Sequence, residues 1–499
     1  MLDGKSSETP FATRVFSVLD LKTFSEDELH ASFDRLDENH DDTIDKEELR
    51  SAIRSIHKGG NTSEIDDFVD VLYDYEIKGQ KEAAGGITYP QFRERTKQLA
   101  ESLDPRVKPM TAMFLCSGMS IGIIIPIMPQ LVQALEISSS EYGLIVGAFA
   151  GAKMFANVPT ASLVDRFGRK PIITGGMMVV GASLGCIGLA SAYTHIMLCR
   201  AFTGIGVAAF VTGATMYLSD ISTPLNRAKT MAPPNVAFGA GTAVGPAIGG
   251  ILSDTIGISG SFFLVGGSFG LIAIANQAIM PESAQDKPLS VEGADSKETQ
   301  STFDQWKELL QDSRIVNMIL LNSGYWFVLS GSQLTLLPLM LVGEQFQLSA
   351  SAIGGIFAAS SVVGVIFTPL AAKLLDKVGQ VQCIVPACFA IGSSMAFVPL
   401  AGHNIMAFLS LFGIWTAAGT LLGAGPTTYL SNITEGSART QALALSRTGG
   451  DIGMFGGAIC SGMLATVAGQ PEAVMANGIG FIGLSSFAAW RLWRTAKNF

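Results

Sequence analysis

Charged residues are scarce in this chain of 499 residues: Asp, Glu, Lys and Arg supply 15% of it, whereas hydrophobic residues supply 48%. Together with a mean hydropathy of +0.38, this scarcity excludes an ordinary soluble globular protein. Cysteine is also rare, and its six copies fall in predicted helices without the spacing of a metal site. We therefore expect small buried apolar side chains, and not metal ligands, at Cys116, Cys186, Cys199, Cys383, Cys388 and Cys460.

Two kinds of motif are missing from the sequence. There is no GxxxxGK loop for binding a nucleotide, so we expect no step driven by ATP. The apolar part contains neither a nucleophile with its base nor a metal triad. We therefore expect that the protein is not an enzyme.

Long apolar stretches fill the chain from residue 110 to residue 493. A helix needs roughly 20 apolar residues to cross the hydrocarbon core of a bilayer, and twelve stretches reach that length. We predict an all-α, polytopic membrane protein whose twelve transmembrane helices form two bundles of six in a lipid bilayer. The predicted helices cover residues 110–135, 141–163, 171–192, 195–219, 228–252, 260–280, 314–342, 349–374, 381–400, 404–430, 440–468 and 472–493.

Net charge separates a soluble N-terminal part from the apolar remainder. Residues 1–109 contain 15 Lys and Arg against 24 Asp and Glu, and residues 110–499 contain 18 of each. An acidic module suits a cation as ligand and argues against nucleic acid as a partner. We divide the chain into a lobe (1–105), a first transmembrane bundle (106–280), a linker (281–313) with a short amphipathic helix at 303–310, and a second bundle (314–499).

The loops predict the orientation in the membrane. If the N-terminus is cytosolic, Lys and Arg lie in the cytosolic loops and the tail, whereas the opposite loops contain Asp, Glu and His but no Lys or Arg. This positive-inside pattern predicts that both termini and the linker are cytosolic. The membrane of residence stays open between the plasma membrane and an organelle.

The second half of the apolar part repeats the first at a shift of 211–212 residues. The shift superposes Pro126 on Pro338, residues 217–221 (YLSDI) on 429–433 (YLSNI), and Arg227 on Arg439. Both halves enter the membrane from the same side, so the repeat is parallel. Such repeats occur in transporters whose two bundles rock around a site at the bilayer midplane.

Clustered cations lie in the loop between the second and third predicted helices. Residues 161–170 (ASLVDRFGRK) resemble the G-x-L-x-D-R-x-G-R-K motif of the major facilitator superfamily, with Ala161 in place of the first glycine. The resemblance implies a latch for the outward-facing state, in which a glycine turn presents cations to helix ends and carboxylates of the other bundle. A basic loop that only sets the topology is the alternative. The candidate gate residues are Asp165, Arg166, Gly168, Arg169, Lys170 and Asp376, the repeat-related partner of Asp165.

Glycine recurs along the fifth predicted helix. Residues 239–250 (GAGTAVGPAIGG) resemble the G-x-x-x-G-P-x-x-G-G motif of the drug:proton antiporter-like families within the superfamily, and the likeness extends over residues 110–499. Small residues four apart let two helices approach closely, and a proline bends its helix. Helix packing alone is the simpler interpretation of such glycines. The candidate kink and packing residues are Gly241, Gly245, Pro246 and Gly250.

Few ionisable groups lie deep within the predicted spans, and we select all four as candidates for substrate binding or coupling: Lys153, Arg200, Arg447 and Asp451. A charge near the bilayer centre costs about 2.5–3.5 kcal/mol, so each should face a cavity or a partner. Arg447 and Asp451 are four residues apart and can pair on one helix, as a structural bridge or as a coupling pair. The resemblance links Arg200 to proton coupling or substrate contact.

The charges also indicate a class of solute. Drug exporters of the antiporter-like type usually carry a carboxylate in the first helix, and residues 110–135 contain none. Three deep cations against one carboxylate suit a small organic solute that is an anion or a neutral amphiphile, with protons as a candidate coupling ion.

In the lobe, residues 37–48 (DENHDDTIDKEE) have the spacing of a twelve-residue EF-hand loop. The expected ligands of a calcium ion are oxygens of Asp37, Asn39, Asp41, Thr43 (through its carbonyl), Asp45 and Glu48. Asp42 stands where glycine normally supplies a positive φ, a conformation that aspartate tolerates at some cost. A solvated acidic turn is the alternative interpretation.

A second, degenerate hand is expected to pair with the first. Residues 68–75 are helical in pattern, and residues 86–92 (GITYPQF) resemble the exiting half of a hand. The loop between them, 76–86, lacks the acidic spacing and should not bind calcium. Ile44 is expected to form the short strand that joins the two loops.

These patterns together predict a secondary active transporter that works by alternating access and is modulated by calcium binding to the lobe. Two alternatives stay open. One is a passive facilitator, and the other is a receptor or sensor that uses the same scaffold without transport.

Overall fold

The computed structural model describes residues 19, 21, 25–56, 66, 69–70, 72–73, 86–223, 225–283, 302–434 and 436–496. The described residues of the lobe form α1 (Glu26–Leu36), β1 (Thr43–Ile44), α2 (Lys46–Ile56), β2 (Ile87–Thr88) and α3 (Tyr89–Glu101). The side chain of Ser25 accepts a hydrogen bond from the N–H of Glu28 and so caps the start of α1.

The lobe is held together by a strand pair and an apolar core. β1 and β2 are antiparallel, with Thr43 opposite Thr88 and Ile44 opposite Ile87, which confirms the pairing expected at Ile44. The predicted loop of the second hand, 76–86, lies outside the described residues except for Gly86. The buried core residues come from both hands: Leu29, Phe33, Leu36, Ile44, Leu49, Ile53, Val69, Leu72, Ile87, Phe92 and Leu99.

Long helices form the rest of the molecule. The first half contains α4 (Val107–Ala134), α5 (Ser139–Phe167), α6 (Arg169–Ile187), α7 (Tyr193–Asp220) and α8 (Arg227–Ile279). The linker contributes α9 (Thr302–Leu309), at the position predicted for an amphipathic helix. The second half contains α10 (Ser313–Val342), α11 (Ala350–Val378), α12 (Gln380–Ala396), α13 (Val398–Ala401), α14 (Ile405–Ile433), α15 (Gly436–Ala468) and α16 (Gln470–Ala496).

Within the described residues, ten of these helices are long and apolar enough to span a membrane, and α12 is apolar but has only 17 residues. α8 has 53 residues, which at a rise of 1.5 Å each is about 80 Å and far exceeds a bilayer. Its backbone leaves the helical conformation at Gly257 (φ 76°, ψ 172°), between the two helices predicted at 228–252 and 260–280. α8 is thus two helical segments joined at a glycine.

One stretch differs from the predicted continuous helix at 314–342. Within α10, residues Leu329–Leu336 form a π-helix, in which each N–H bonds to the carbonyl five residues back. Apolar periodicity does not distinguish this from an α-helix over eight residues, so the sequence pattern missed it.

The outer surface of the long helices is apolar, as a lipid-facing surface requires. Exposed residues include Val158, Leu271, Leu400 and Val467, each at least 70% exposed. Cysteine also lies on this surface: Cys383 and Cys388 are buried, but Cys186 and Cys460 are exposed. The expectation that all six cysteines are buried was therefore wrong.

Glycines set the spacing between helices in each half. A Cβ added to Gly241 or Gly245 of α8 would overlap backbone atoms of α4, and one added to Gly453 or Gly457 of α15 would overlap backbone atoms of α10. The predicted repeat relates Gly241 to Gly453 and Gly245 to Gly457. Packing therefore follows the repeat.

The glycine packing gives a test of the fold. We expect Gly245→Ala to destabilise the protein by about 1–3 kcal/mol, because the new methyl group would overlap the carbonyl oxygen of Met119. Gly239→Ala on the same helix is the matched control, since its Cβ would meet no atom within 4 Å. Thermal unfolding in detergent measures both variants, and equal melting temperatures would contradict the close approach of α4 and α8.

Candidate functional site

The two halves contact each other at the end of the bundle opposite the lobe, here called the far side. A Cβ on Gly143 of α5 would lie 2.5 Å from the carbonyl oxygen of Ala458, and one on Gly354 of α11 would overlap that of Pro246. The repeat relates Gly143 to Gly354 and Pro246 to Ala458. The far side is therefore closed by two equivalent helix contacts, α5 with α15 and α8 with α11.

Hydrogen bonds reinforce this closure. The N–H of Ser140 donates to Thr466 Oγ1 at 3.0 Å, and the N–H of Ser351 donates to Asp254 Oδ2 at 3.2 Å. Both bonds join one half to the other. Because each involves a helix N-terminus, they also satisfy N–H groups that have no partner within their own helix.

Closer to the middle of the bundle, an ion pair joins the halves. Lys153 Nζ of α5 lies 2.9 Å from Asp451 Oδ1 of α15, and Asn157 Nδ2 donates to the other carboxylate oxygen at 3.2 Å. Lys153 and Asn157 are four residues apart and share a helix face. Asp451 is buried, and both of its oxygens are bound by the opposite half.

This arrangement corrects the predicted pair on α15. Arg447 and Asp451 have the spacing of an intrahelical salt bridge, but Asp451 turns to Lys153 and Asn157, and the Arg447 side chain is exposed. Spacing on one helix carries no information about a partner on another. Asn157 was not among the predicted site residues because an uncharged amide in an apolar helix gives no distinct signal.

Arg200 lies on α7 and approaches the same part of α5. Its guanidinium carbon lies 4.6 Å from the centre of the Phe149 ring, a cation–π contact. Its Nε is enclosed and has no hydrogen-bond partner among the described residues. A Cβ on Gly204, one turn further along α7, would overlap the carbonyl oxygen of Phe149 and lie 3.0 Å from the backbone nitrogen of Lys153. Arg200 therefore presents an incompletely satisfied cation next to the helix that carries Lys153.

Residues of α5 on the lobe side of the ion pair are exposed. Phe155 and Val158 are 74% and 78% exposed and belong to the apolar outer surface, whereas Tyr142, Ile145 and Val146 on the far side of the same helix are buried. The described contacts that join α5 to α15 run from Ser140 to Asn157.

The candidate gate loop is held within the first half. Arg169 is almost fully buried, and its Nε donates to Asp220 Oδ2 of α7 at 2.7 Å, with Asp165 3.5 Å from its Nη1. The backbone N–H groups of Arg169 and Lys170 donate to the carboxylate of Glu282 at 2.9 and 3.1 Å. Asp165 and Asp220 thus belong to the same half as this loop, and Glu282 lies at the start of the linker.

The remaining gate residues have simpler surroundings. Arg166 lies over the ring of Phe167, 5.3 Å from its centre, and Asp376 is exposed. Gly168 and Gly379 have the same left-handed conformation, with φ of 93° and 103°, at equivalent positions of the two halves. This conformation explains the need for glycine in both loops.

Polar side chains also meet inside the second half. Asn477 Nδ2 donates to Ser332 Oγ at 2.9 Å and to Ser461 Oγ at 2.8 Å, and Ser332 belongs to the π-helical stretch of α10. Neighbouring Ser330 is fully buried, and its hydroxyl has no partner among the described residues. Sequence reasoning missed this cluster because single serines are common in membrane helices.

A cavity of about 400 Å³ opens at the far-side mouth between the halves. It is lined by residues of α4, of the end of α10 and of the segment that follows α10: Gln130, Gln133, Val342, Glu344, Gln347 and Leu348. Its lining is separate from Lys153, Arg200 and Asp451, so this cavity does not contain the candidate solute groups.

The candidate calcium loop is ordered by bonds between its side chains and its backbone. Glu48 reaches across the loop, and its carboxylate accepts from the N–H of Asn39 at 3.3 Å and from the N–H of Asp45 at 2.9 Å. Asp37 accepts from the N–H groups of Asp41 and Asp42 at 3.3 and 3.1 Å. The carboxylates therefore face the interior of the loop.

Two further features of the loop agree with the expected ligand set. Hydrogen bonds from the hydroxyl and the N–H of Thr43 hold the pKa of Asp41 below its usual value, which keeps this carboxylate ionised. Asp42 has a φ of 62°, the conformation expected where such loops carry glycine. Charge, oxygen chemistry and backbone thus fit a calcium ion.

The oxygens have nevertheless not converged on one point. In the part of the chain that the structure describes, no three side chains of His, Cys, Asp or Glu are close enough together to hold a metal ion. Calcium binding would therefore require the carboxylates of the loop to move towards each other.

Comparisons with known proteins agree with this architecture. The family description Major Facilitator Superfamily matches residues 110–424 and 329–498, so the lobe lies outside the matched region. Multidrug resistance protein 2 of Bacillus subtilis is 25% identical over 381 residues, which are 76% of this chain and 93% of that protein.

Solved structures show the same fold. A bacterial homologue of the human lysosomal transporter Spinster, in an inward-facing and unoccupied conformation, superposes with a TM-score of 0.64 at 16% identity, covering 79% of this chain and 96% of the other. The human organic anion transporter MFSD10 superposes with a TM-score of 0.55 at 18% identity, covering 77% and 98%. The chain therefore belongs to the major facilitator superfamily of membrane transporters.

Proposed function

We propose that this protein is a secondary active transporter that carries a small organic anion across a membrane by alternating access. A crossing number of twelve is supported by counting the two segments of α8 separately and by adding the short apolar α12 to the other nine long helices. With both termini and the linker in the cytosol, the lobe side is the cytosolic side.

In this proposal the conformation is the inward-facing one. The support is the pattern of contacts: the close glycine contacts that join the halves lie at the far side, and the hydrogen bonds and ion pair between α5 and α15 run from Ser140 to Asn157. The gate loop, which would latch the cytosolic side in the outward-facing state, is bound here to carboxylates of the first half and to Glu282 at the start of the linker.

The anionic solute is argued from charge. Asp451 compensates Lys153, whereas the Nε of Arg200 is enclosed without a hydrogen-bond partner among the described residues, and a charge in such surroundings favours an anionic partner. A neutral amphiphile is the second candidate. The description of MFSD10 as an organic anion transporter agrees with the first choice.

The ion pair between the halves is the observation that carries the mechanism. An anion that reaches Lys153 competes with Asp451 for the same ammonium group, and a proton on Asp451 would release Lys153. Solute binding, protonation and the contact between the halves would then depend on one pair of side chains. This is the coupling that a proton-linked transporter requires.

Calcium binding to residues 37–48 is proposed to modulate transport. The support is the ligand set, the interior orientation of its carboxylates and the positive φ of Asp42. Asp37, Asn39, Asp41 and Glu48 would bind the ion with side-chain oxygens, Thr43 with its carbonyl, and Asp45 through a water molecule. Bound calcium would supply the charge that draws these oxygens together.

Substitution of Arg200 tests the solute class. We expect Arg200→Ala to reduce kcat/KM for the best transported anion about ten- to a hundredfold, because a hydrogen bond to a charged group contributes about 1.5–3 kcal/mol. Uptake into proteoliposomes is measured with a panel of radiolabelled organic anions and neutral amphiphiles.

Lys373→Ala, at an exposed position of α11, serves as the matched control for loss of one cation. Equal uptake of anions by the wild type and Arg200→Ala would contradict the role of Arg200. If no compound in the panel crosses faster than in protein-free liposomes, a receptor or sensor becomes the better interpretation.

Substitution of Asp451 tests the proposed competition. We expect Asp451→Asn to lower the KM for an anion, because Lys153 is no longer neutralised. The measurement is the KM for uptake into wild-type and variant proteoliposomes. An unchanged KM would restrict the pair to a structural role.

The calcium site is tested by calorimetry on the full-length protein in detergent. We expect Glu48→Gln to abolish the heat of calcium binding, because one bidentate carboxylate ligand is lost. Glu47→Gln removes the same charge from the neighbouring exposed residue, whose partner is Arg50, and should leave the binding intact. Equal heats for the wild type and Glu48→Gln would refute the site.

A further inference from the structure

The junction between α7 and α8 comprises residues 221–226, and its described residues hold the end of the lobe. The hydroxyl of Thr223 donates to the carbonyl of Ala100 at 2.8 Å, and Asn226 Nδ2 donates to the carbonyl of Ser102 at 2.6 Å. Thr223 and Asn226 are fully or almost fully buried, and Leu225 packs against the apolar core of the lobe. These contacts bind the lobe through backbone groups at a defined position.

The bound carbonyls lie at the C-terminal end of α3. The last four carbonyls of a helix have no partner within it, so side chains that donate to them cap the helix. Lys229 at the start of α8 adds a cation at the same helix end, 2.8 Å from Glu101, and holds the pKa of that carboxyl below its usual value. This pair is largely exposed and contributes little, so the two hydrogen bonds and Leu225 dominate the contact.

The internal repeat shows that this contact is specific to the first half. At the repeat shift, the two donors Thr223 and Asn226 correspond to Glu435 and Ala438, and the apolar Leu225 corresponds to Ser437. Lys229 corresponds to Gln441, which accepts a hydrogen bond from Trp306 Nε1 of the linker helix α9 at 2.9 Å. Among the described residues, the first junction therefore holds the lobe, and the equivalent region of the second half contacts the linker helix.

A short structural route connects the calcium loop to this junction. β1 lies within the loop and pairs with β2 through Thr43–Thr88 and Ile44–Ile87. α3 follows β2 without an intervening residue, and its other end is the one capped by the junction. A change of the loop would therefore reach the cap through one strand pair and one helix of 13 residues.

Beyond the junction, α8 reaches the far-side closure. Its first segment runs from Arg227 to the break at Gly257 and packs closely along α4. Near the end of this segment Gly250 contacts Ala350 of α11 in the other half. The same helix is thus bound to the lobe at one end and to the opposite half near the other.

We infer that the α7–α8 junction is the regulatory contact through which the calcium state of the lobe controls the position of α8 and hence the closure of the two halves. This inference rests on the proposed calcium site. It identifies the route of regulation, which the site alone does not.

The test is hydrogen–deuterium exchange on the full-length protein in nanodiscs, with calcium chloride or with a chelator and magnesium. In the wild type we expect calcium to slow exchange in the lobe and to change exchange about fivefold or more in residues 221–235. The double variant Thr223→Val/Asn226→Ala should keep the change in the lobe and lose the change in residues 221–235.

Controls separate this inference from the proposed site. Gln441→Ala alters the position of the second half that corresponds to Lys229, and this variant should respond as the wild type. Thr223→Val alone removes one donor at constant side-chain shape and should give an intermediate response. If residues 221–235 respond equally in the double variant and the wild type, the junction is not the route and the calcium site stands. If calcium changes nothing in the wild-type lobe, the site and the regulation built on it both fail.

Discussion

A salt bridge inside an apolar bundle is the interaction on which the rest of this arrangement depends. Lys153 and Asp451 come from different halves, and each would be costly alone in a bilayer, about 2.5–3.5 kcal/mol on insertion scales. Breaking a buried pair by removing one partner costs more than the pair contributes as a whole, because the remaining charge is left uncompensated. An ion pair of this kind favours two states: in one the two charges are paired with each other, and in the other each charge is compensated by a different partner. A transporter that alternates between two conformations needs this property at the contact between its halves.

The close glycine contacts between the halves follow the internal repeat. Gly143 and Gly354 are equivalent, and each lets its helix approach the backbone of the other half, at Ala458 and Pro246 respectively. Contacts made by backbone atoms and small side chains require little repacking of side chains when helices tilt. They therefore suit a surface that separates and closes again. Specificity in this interface comes from the polar groups, and the closeness of approach comes from the glycines.

Much of the fold could be predicted from the sequence, because lipid imposes simple rules. The length of the apolar stretches predicted the membrane helices. The repeat shift predicted equivalent loops, and both contain a glycine with a positive φ, Gly168 and Gly379. The spacing of residues 37–48 predicted a loop between two helices with a short strand inside it. These features depend on local pattern. The π-helical stretch of α10 was not predicted, because the pattern of apolar residues over eight positions is the same for a π-helix and an α-helix.

The candidate site was predicted less completely, for a physical reason. Lys153, Arg200 and Asp451 stand out because charges are rare in membrane helices, but their partners depend on how helices pack. Asp451 had a candidate partner four residues away at Arg447, whereas its actual partner is 298 residues away. Asn157 and the junction residues Thr223 and Asn226 are uncharged, and their roles follow from tertiary contacts alone.

The contact between lobe and bundle also differs in kind from a simple attraction of opposite charges. The lobe is acidic and the loops on its side are basic, yet the buried contacts are two hydrogen bonds to helix carbonyls and one apolar side chain, with Lys229 and Glu101 forming an exposed pair beside them. A charge contact would respond to the net charge of the lobe and would be screened by salt. A cap on a helix end responds to the position and direction of that helix. Since β2 leads directly into α3, the cap detects the geometry of the paired loops, and this is the quantity that a bound cation would change.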